Sequence, residues 1–505
     1  MSAGQLRRVA LAVVVVVVLA GIYGLARIGH PASRAARSAG ASRVEVSRAV
    51  RVCPAPGSAG PTASALAVAA APGSATTGSA IVTGLSPVGS TSPGIVLATL
   101  TRPGVLQASP VSLAPALTPA EQAGQAGSSP GVRTQAARGG VQVSATGALA
   151  QGLEVEQTGP GGLATAQCSA PGTSFWFAGP GQKSAATIQL YLSNTSSTAA
   201  DAQVQVLTDA SKGPPVLGNA DNGITVPPHG IVVQSLSGLL QGAAIMALNV
   251  STTVGQVAAA VRETNTTGQA GIWLPVVQAP ARHLVIPGLP AAPGARDLYV
   301  AVPGAGAAQI KITAVTERGS YQPTGGTGID LLGGSVSDIP LPSLAGIPGA
   351  LSISSSVPVV AVMQVSGGPA GSAGALAASA GQVLEQGVLA ANPAGTVLVL
   401  SAPGKAATVR ISTATATTPA SAATGRMVQI PAKSSVVVTE GPPAGTRASQ
   451  VMLVITPLAG SGPVYAGRII NTGGSVLSIM PVPSSLTSIP LPGVSESLSA
   501  ILGSS

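Results

Sequence analysis

The chain has 505 residues, of which 45% are hydrophobic and only 8% are charged, whereas about 25% of residues are charged in an ordinary globular domain. Such an apolar chain can bury cores, so it is not typical of a disordered protein, and its length allows several domains. The net charge of +9 is concentrated in the first 51 residues, which hold eight basic residues and one acidic residue. The rest of the chain is nearly neutral, which argues against a nucleic-acid-binding protein because that function needs a basic face.

The first predicted element is an uncharged apolar run, Val9–Ala26, which follows a short tail of residues 1–8. As a helix this run would rise about 27 Å, close to the thickness of a bilayer core of about 30 Å. It is longer than the apolar core of most signal peptides, and Ile22, Tyr23 and Leu25 disturb a cleavage site. We therefore predict a single-pass transmembrane anchor with a cytoplasmic tail and an extracytoplasmic remainder. A cleaved signal peptide is the alternative.

A basic linker is predicted next, in residues 27–50. Its arginines could lie on anionic lipid headgroups, at ~1 kcal/mol each. A solvated tether explains the same composition equally well. In both interpretations the membrane is a predicted partner of the chain.

The two cysteines of the chain, Cys53 and Cys168, are separated by 115 residues. Metal sites need closely spaced ligands, and neither cysteine has a His or another Cys nearby in the sequence, so we predict no metal here. Two buried thiols or one disulfide remain possible. We favour the disulfide, which forms in an oxidising compartment and would close a β domain of residues 51–174.

Strand signals dominate the chain after the linker. Short runs rich in Val, Ile, Leu and Thr are bounded by Gly, Pro, Ser and Asn. The segment 371–387 is the best helix candidate, and it is equally compatible with a loop. The six runs that predict strands in the N-terminal β domain are "ALAVAAA", "AIVTGL", "GIVLATL", "GVQVSAT", "GLEVEQT" and "GLATAQC".

The remainder of the chain repeats one order of strand signals three times. A hairpin of thirteen residues begins at residues 224, 329 and 428, and Tyr191 and Tyr299 occupy the same place in the first two copies. About seven short strands per ~100 residues is typical of an immunoglobulin-like sandwich. The predicted boundaries are 175–281 for repeat 1, 282–387 for repeat 2, 388–485 for repeat 3 and 486–505 for a C-terminal tail.

These observations predict an all-β protein, in which an N-terminal transmembrane helix precedes tandem immunoglobulin-like β-sandwich domains. Along strands of a sandwich, alternate side chains point inward. In "AQVQVL" this predicts that Val204 and Val206 are buried, and that Gln203 and Gln205 face outward. The alternative is a β-propeller, whose four-stranded blades of ~40–50 residues would divide each repeat in two. The sequence shows no half-length repeat.

Several segments resemble a known family. They are "RVCP" (51–54), "GLATAQCSAPGTSFWFAG" (162–179), "LYLSNTSSTAADAQVQVL" (190–207) and "VPPHGIVVQSL" (226–236). Together with the N-terminal anchor, they resemble the actinobacterial secreted or membrane-anchored proteins of domain-of-unknown-function family 5719. The resemblance implies an envelope location. It implies no activity and no catalytic residues.

Residue types that support catalysis are scarce. The three histidines, His30, His229 and His283, lie in the linker, in a turn and between repeats. A Ser-His-Asp arrangement also needs an orienting acid, and Asp209, Asp221 and Asp297 could be proposed for that role only without support from spacing. No spacing links them to a histidine, so we predict no catalytic residues, no cofactor and no enzyme.

Two further segments could form sites. The Gly-flanked loop 217–223 contains Asn219, Asp221 and Asn222, and such oxygen-rich loops can hold calcium. Its acid content is too low for an EF-hand, and we predict a turn. The three aromatic residues Phe175, Trp176 and Phe177 could contact a ligand if exposed. Because they follow Cys168 closely, we favour a contact at a domain junction.

These predictions lead to a non-enzymatic, membrane-anchored extracytoplasmic protein that acts as a structural or docking module in the cell envelope. Its expected partners are the membrane and envelope proteins or cell-wall polymers. The alternative function is that of a glycan or cell-wall polymer binding protein, suggested by the aromatic triplet and by strand faces rich in Gln, Ser and Thr.

Overall fold

The structure is a computed structural model. It describes residues 43–54, 65–72, 77–87, 96–100, 140–158, 165–183, 187–209, 217–218, 223–264, 271–366, 374–393, 395–415, 425–440, 451–472 and 475–491. Over these residues, no helix has the length and apolar character needed to cross a bilayer. The predicted anchor, the tail before it and most of the basic linker lie outside the described residues.

The all-β prediction is confirmed. Within the described ranges the helical structure is one short 3-10 helix, Pro342–Leu344. The helix considered for 371–387 is wrong where that segment is described, because the segment contains the strand Ala375–Ala378, and a second strand, Gly387–Leu389, begins at its last residue. All four residues of the first of these strands are buried and paired to a longer strand, so tertiary pairing overrides the helix propensity of alanine.

The chain forms two compact units, residues 1–45 with 488–505, and residues 46–487. In the first unit, strand β1 (Arg43–Glu45) pairs antiparallel with β35 (Ser488–Pro490). The guanidinium Nε of Arg43 donates to the hydroxyl of Ser488 at 2.9 Å. All other strands belong to the second unit.

The N-terminal β domain contains all six predicted strands. They form two antiparallel sheets, ordered β2-β7-β4-β6 and β3-β8-β9, while β5 pairs in parallel with a strand of repeat 1. The strands are β2 (Arg48–Cys53), β3 (Ala65–Ala69), β4 (Gly78–Gly84), β5 (Ser86–Pro87), β6 (Val96–Leu100), β7 (Val141–Gly147), β8 (Glu154–Thr158) and β9 (Ala166–Gln167).

Repeat 1 also contains two antiparallel sheets. The strands are β10 (Ser174–Pro180), β11 (Thr187–Ser193), β12 (Ala200–Thr208), β13 (Leu217–Gly218), β14 (Ile224–Val226), β15 (Gly230–Ser235), β16 (Ile245–Val254), β17 (Ala258–Thr264) and β18 (Gly271–Leu274). One sheet has the order β10-β16-β12, with β13 and β14 on the far side of β12, and the other has the order β18-β17-β11-β15.

Repeat 2 has the same arrangement, except that one long strand serves both of its sheets. Its strands are β19 (Ala281–Leu289), β20 (Arg296–Val302), β21 (Ala308–Thr316), β22 (Gly319–Tyr321), β23 (Ile329–Leu331), β24 (Ser335–Pro340), β25 (Gly349–Val365) and β26 (Ala375–Ala378). The first half of β25 lies between β19 and β21, and its second half lies between β26 and β20.

Repeat 3 is the most regular copy, with sheets ordered β27-β32-β29-β30 and β34-β33-β28-β31. Its strands are β27 (Gly387–Leu389), β28 (Thr396–Ala402), β29 (Ala407–Thr415), β30 (Arg426–Ile430), β31 (Ser434–Glu440), β32 (Val451–Pro457), β33 (Tyr465–Thr472) and β34 (Ser475–Pro481).

One pairing scheme therefore recurs in every domain. If the eight principal strands of a repeat are counted in chain order, the first, sixth, third and fourth form one sheet, and the eighth, seventh, second and fifth form the other. The N-terminal β domain follows the same scheme over its described strands, without a fifth strand. Each sheet thus takes strands from both halves of its repeat, so the pairing does not match propeller blades built from half-repeats.

Side-chain alternation explains which residues of a strand are buried. In β12, Val204 and Val206 are buried, Gln203 is exposed and Gln205 is half-buried, as the sequence predicts. Because a one-residue slip would move the valines to the outer face, burial fixes the register of this strand. The boundaries predicted for the individual domains stay a prediction.

Buried side chains also connect each domain to the next. The cluster that contains Phe177 of repeat 1 includes Tyr299 and Val362 of repeat 2. The cluster that contains Ile286 of repeat 2 includes Ile469 of repeat 3. The contacts between consecutive repeats are therefore part of the hydrophobic cores.

The N-terminal β domain closes this series, because it contacts both repeat 1 and repeat 3. Its Val52 and Leu85 pack with Ala258 of repeat 1. Its alanines in β3 pack with Val388 and Met452 of repeat 3. We call this closed series of contacts, from the N-terminal β domain through repeats 1, 2 and 3 and back, the domain ring.

Candidate functional site

A cavity of about 350 Å³ lies where the four domains of the ring meet. Its wall includes residues of β9, β18, β26 and β34, the last strand of each domain. Each of these strands is at the edge of its sheet. The common pairing scheme thus places four equivalent sheet edges around one space.

Most of the cavity wall is apolar, and its polar groups are concentrated in a few residues. The apolar side chains come from every domain of the ring, and they include Phe177, Trp273, Leu376 and Met480. Arg51, Glu154 and Gln167 of the N-terminal β domain provide the charged and amide groups. A cavity of this composition resembles the sites that bind small molecules.

Glu154 is the centre of the polar group. Its Oε1 accepts hydrogen bonds from Arg51 Nη2 at 3.1 Å and from the hydroxyl of Ser485 at 3.2 Å. Its Oε2 accepts from Gln167 Nε2 at 3.3 Å. Burial raises the pKa of Glu154, and the Arg51 guanidinium opposes this rise by stabilising the carboxylate.

A second buried carboxylate lies two residues along the same strand, and therefore on the same face of it. Glu156 forms an ion pair of 2.8 Å with Arg468 of β33 and accepts a hydrogen bond of 2.9 Å from the backbone N–H of Ala390. Arg468 also donates to the Ala391 carbonyl oxygen and contacts the sulfur of Met480. This pair joins the N-terminal β domain to repeat 3.

The predicted disulfide between Cys53 and Cys168 is confirmed. The two Cα atoms are 4.4 Å apart, and both residues are buried in the core of the N-terminal β domain. The bond joins the end of β2 to the residue after β9, next to backbone hydrogen bonds between Val52 and Ser169. Cys168 also lines the cavity, so the disulfide supports part of the cavity wall.

The aromatic triplet lies on β10 and is buried. Phe175 and Trp176 are 8% and 7% exposed, and Phe177 is fully buried. The triplet packs in the cluster shared by repeats 1 and 2, and both phenylalanines line the cavity. The triplet therefore offers no exposed aromatic platform, while a contact with a ligand inside the cavity or with a domain junction stays a prediction.

The cavity wall also contains Trp273, which the sequence did not single out. Trp273 lies edge-on to Tyr191 with 5.2 Å between ring centroids, and the guanidinium of Arg262 lies 5.6 Å from the centroid of the indole. The hydroxyl of Tyr191 donates to Gln189 at 3.0 Å, and burial raises the pKa of this tyrosine. These contacts hold Trp273 in place beside the cavity.

Glu263 of β17 is a third buried carboxylate that the sequence did not indicate. It is 3% exposed, and burial raises its pKa to about 7. Burial is the main cause that raises the pKa of the Tyr299 hydroxyl, and the carboxylates of Asp338, Asp297 and Glu263 add to this rise. Tyr299 donates its hydrogen bond to Gln364.

The remaining sequence candidates lie apart from this cavity. His229 occupies a turn with a φ of 50°, and its N–H donates to the Ser196 carbonyl oxygen. His283 is exposed and lies 3.4 Å from the hydroxyl of Ser354. Asp209 directly follows β12, and Asp297 lies in β20. None of these four residues lines the cavity.

Most of the candidate calcium loop lies outside the described residues. Asn219, Asp221 and Asn222, like His30, lie outside the described residues. Among the described side chains, no three His, Cys, Asp or Glu residues are grouped as metal ligands would be.

Comparison with known proteins places the chain in a family. No curated protein matches it in sequence. Residues 121–440, which are more than half of the chain, match the sequence profile described as "Family of unknown function (DUF5719)". The matched region begins in the N-terminal β domain and ends with the last residue of β31. The chain therefore belongs to this family of unknown function.

Proposed function

We propose that this chain is a non-enzymatic, membrane-anchored extracytoplasmic protein that serves as a structural or docking module in the cell envelope. The observation that carries the proposal is the closed domain ring. In a linear array of domains each unit contacts only its neighbours. In this chain the first domain also contacts the last, which fixes the outer faces of all four domains relative to one another. A docking surface needs such fixed geometry.

We further propose that each pair of sheets is an immunoglobulin-like β-sandwich. The recurring pairing scheme supports this assignment, because it divides seven or eight antiparallel strands between two sheets. The cores support it as well. In repeat 3, for example, one cluster combines Leu398 and Leu400 of one sheet with Val409 and Leu453 of the other. Sandwiches have cores of this composition.

Two features support the extracytoplasmic location. A disulfide is stable in an oxidising compartment and rare in the cytoplasm. The apolar run Val9–Ala26 is long enough to anchor the chain in a membrane. Under this proposal, the membrane is one partner, and envelope proteins or cell-wall polymers are the others.

Glycan or cell-wall polymer binding is the second proposal. The observation that favours it is the outer surface of the strands, where exposed residues such as Gln203 and Gln234 present amides. It ranks second because the aromatic triplet is buried and offers no surface for stacking on sugar rings.

The location is tested by treating intact cells with protease. We expect digestion of the chain after the anchor, while a cytoplasmic marker protein remains intact in the same cells. Complete protection of the chain until lysis would contradict the proposed location.

The docking role is tested by crosslinking in intact cells, followed by purification of the full chain. We expect a defined set of envelope proteins that decreases strongly when the domain ring is weakened by the substitution Glu156→Gln. Retention of the full chain on isolated cell-wall material, with no crosslinked protein, would favour the second proposal instead. The absence of both crosslinked envelope proteins and retention on cell-wall material would contradict the docking role.

A further inference from the structure

We propose that the cavity is a binding site for a small, uncharged amphipathic molecule with an apolar body and a hydroxyl or amide head. This inference goes beyond the docking role, because a docking module needs no internal ligand site. It rests on the composition, charge balance, size and accessibility of the cavity.

The apolar body is indicated by the walls. Phe177 and Leu376 are buried core residues, and Trp273 and Met480 add large polarisable surfaces. The Trp273 ring is held by its contacts with Tyr191 and Arg262. Burial of an apolar group against such walls removes apolar surface from water and therefore favours binding. Pre-positioned side chains reduce the entropy lost when a ligand binds.

The uncharged head is indicated by the charge balance. The lining contains one cation, Arg51, and one carboxylate, Glu154, and they are paired with each other. An ionic ligand would bring an unmatched charge into a space of low polarity, which is costly. A hydroxyl or amide adds no charge, and it can both accept and donate hydrogen bonds.

The cavity contains groups that can form hydrogen bonds with the hydroxyl or amide head of such a ligand. Arg51 has five N–H groups, and within the described part of the chain they donate to Val50 and Glu154. The Nε2 of Gln167 donates a hydrogen bond to Glu154, and the amide oxygen of Gln167 is an acceptor. These groups lie beside a cavity lined by four sheet edges, and backbone groups at sheet edges are further donors and acceptors.

The cavity has the size and the access that a small ligand requires. Its 350 Å³ equals the volume of about a dozen waters at ~30 Å³ each, which suits a molecule of similar heavy-atom count. Val276 lines it and is 40% exposed, and the Arg51 side chain is 20% exposed. The site is therefore reachable from solvent without opening of the domain ring.

Four matched probes test the proposal by titration calorimetry with the full chain. Phenylbutanol has an apolar body and a hydroxyl head. Phenylbutyrate has an anionic head instead, and phenylbutylamine has a cationic head. Butanediol has hydroxyl groups but lacks the apolar body. We expect phenylbutanol to bind, and the other three probes to bind about tenfold more weakly or not at all, since an unpaired charge or a lost apolar contact costs more than 1.4 kcal/mol.

Two substitutions locate the binding. Val276→Phe should block the mouth and reduce phenylbutanol affinity about tenfold, whereas Val254→Phe, at an exposed valine outside the cavity, should leave the affinity unchanged. Ser478→Leu should fill part of the cavity with the same effect, and Ser337→Leu, at a half-buried serine outside the lining, is its control. Thermal unfolding establishes that each variant is folded.

Three results would overturn the inference. If no probe binds, the cavity is not a ligand site of this kind. If the anion or the cation binds as tightly as the alcohol, the uncharged head is wrong. If the blocking and control variants lose affinity equally, or neither loses any, the alcohol binds elsewhere on the chain.

Discussion

Arg468 and Glu156 are separated by 312 residues in the sequence and form a buried ion pair of 2.8 Å, with side-chain exposures of 0% and 3%. Glu156 belongs to the N-terminal β domain and Arg468 to repeat 3, so this pair connects the first and last domains of the ring. Removal of one partner of a buried ion pair is strongly destabilising, because it leaves the other charge uncompensated. The pair is therefore expected to hold the two domains together.

Reduction of the Cys53–Cys168 disulfide should weaken the N-terminal β domain before any repeat. Its core is built mainly from alanine and valine, which bury little area each, and a bond closing a loop of this length contributes ~4–5 kcal/mol in the chain-entropy model. Limited proteolysis with and without reductant measures this. We expect cleavage within residues 52–170 to precede cleavage of repeats 1–3, and an unchanged digestion pattern would contradict the prediction.

Glu263 should make the protein less stable as the pH rises. Burial raises its folded-state pKa to about 7 from 4.5, so between these values the folded chain holds a proton that the unfolded chain has released. The free energy of unfolding therefore falls as the pH rises from 4.5 to about 7, and it stays lower above that range.

The variant Glu263→Gln removes this titration. Compared with the natural chain, it should gain up to about 3 kcal/mol of stability at pH 8 and little at pH 4. Denaturant unfolding at both pH values measures the difference. Gln203→Asn, at an exposed amide that does not titrate, is the control and should leave the pH dependence of stability unchanged.

Phe177 should contribute strongly to the stability of the folded chain. It is fully buried between repeats 1 and 2, so Phe177→Ala should lower the free energy of unfolding by about 3–5 kcal/mol through lost burial and a new cavity. Tyr321→Ala removes a ring that is 38% exposed and should cost clearly less. Equal effects of the two substitutions in denaturant unfolding would show that Phe177 is not in the core.

Gly467 should tolerate no side chain, because β33 and β19 approach closely there. A Cβ atom at this position would lie 2.5 Å from the Cα of Gly288 in repeat 2. Gly467→Ala should therefore force the two repeats apart and cost about 1–3 kcal/mol. At Gly304 an added Cβ meets nothing within 4 Å, so Gly304→Ala should change thermal stability little. Similar melting temperatures for the two variants would contradict the close approach.

The sequence predicts the strands well because their signals are local. Alternation in β12 identifies its buried face from residues that are adjacent in the chain, and the recurrence of similar runs identifies the repeats. The aromatic triplet carries a further signal. Three consecutive apolar residues without alternation indicate a strand that is buried on both faces, and β10 is buried on both faces because it lies between its own core and repeat 2.

The cavity and the domain ring could not be predicted in the same way, because they depend on contacts between distant segments. Nothing in the sequence marks Trp273 as part of a site, and its role follows from Arg262 on the adjacent strand β17 and Tyr191 on β11, the strand after that. One signal was nevertheless present. In a chain with only 15 acidic residues, Glu154 and Glu156 occur at alternate positions of one predicted strand, which places two carboxylates on one face and indicates that this face meets cations.

The most direct test of the domain ring is a double-mutant cycle on Glu156 and Arg468, measured by denaturant unfolding of the full chain. Each single substitution, Glu156→Gln or Arg468→Met, should cost about 3–5 kcal/mol because it leaves a buried charge unpaired. The double variant should recover part of this loss, with a coupling energy of about 2–3 kcal/mol, while the partly exposed pair Arg426–Glu440 should show a coupling below about 0.5 kcal/mol. Additive effects of the two substitutions, within about 0.5 kcal/mol, would contradict contact between the N-terminal β domain and repeat 3, and with it the domain ring.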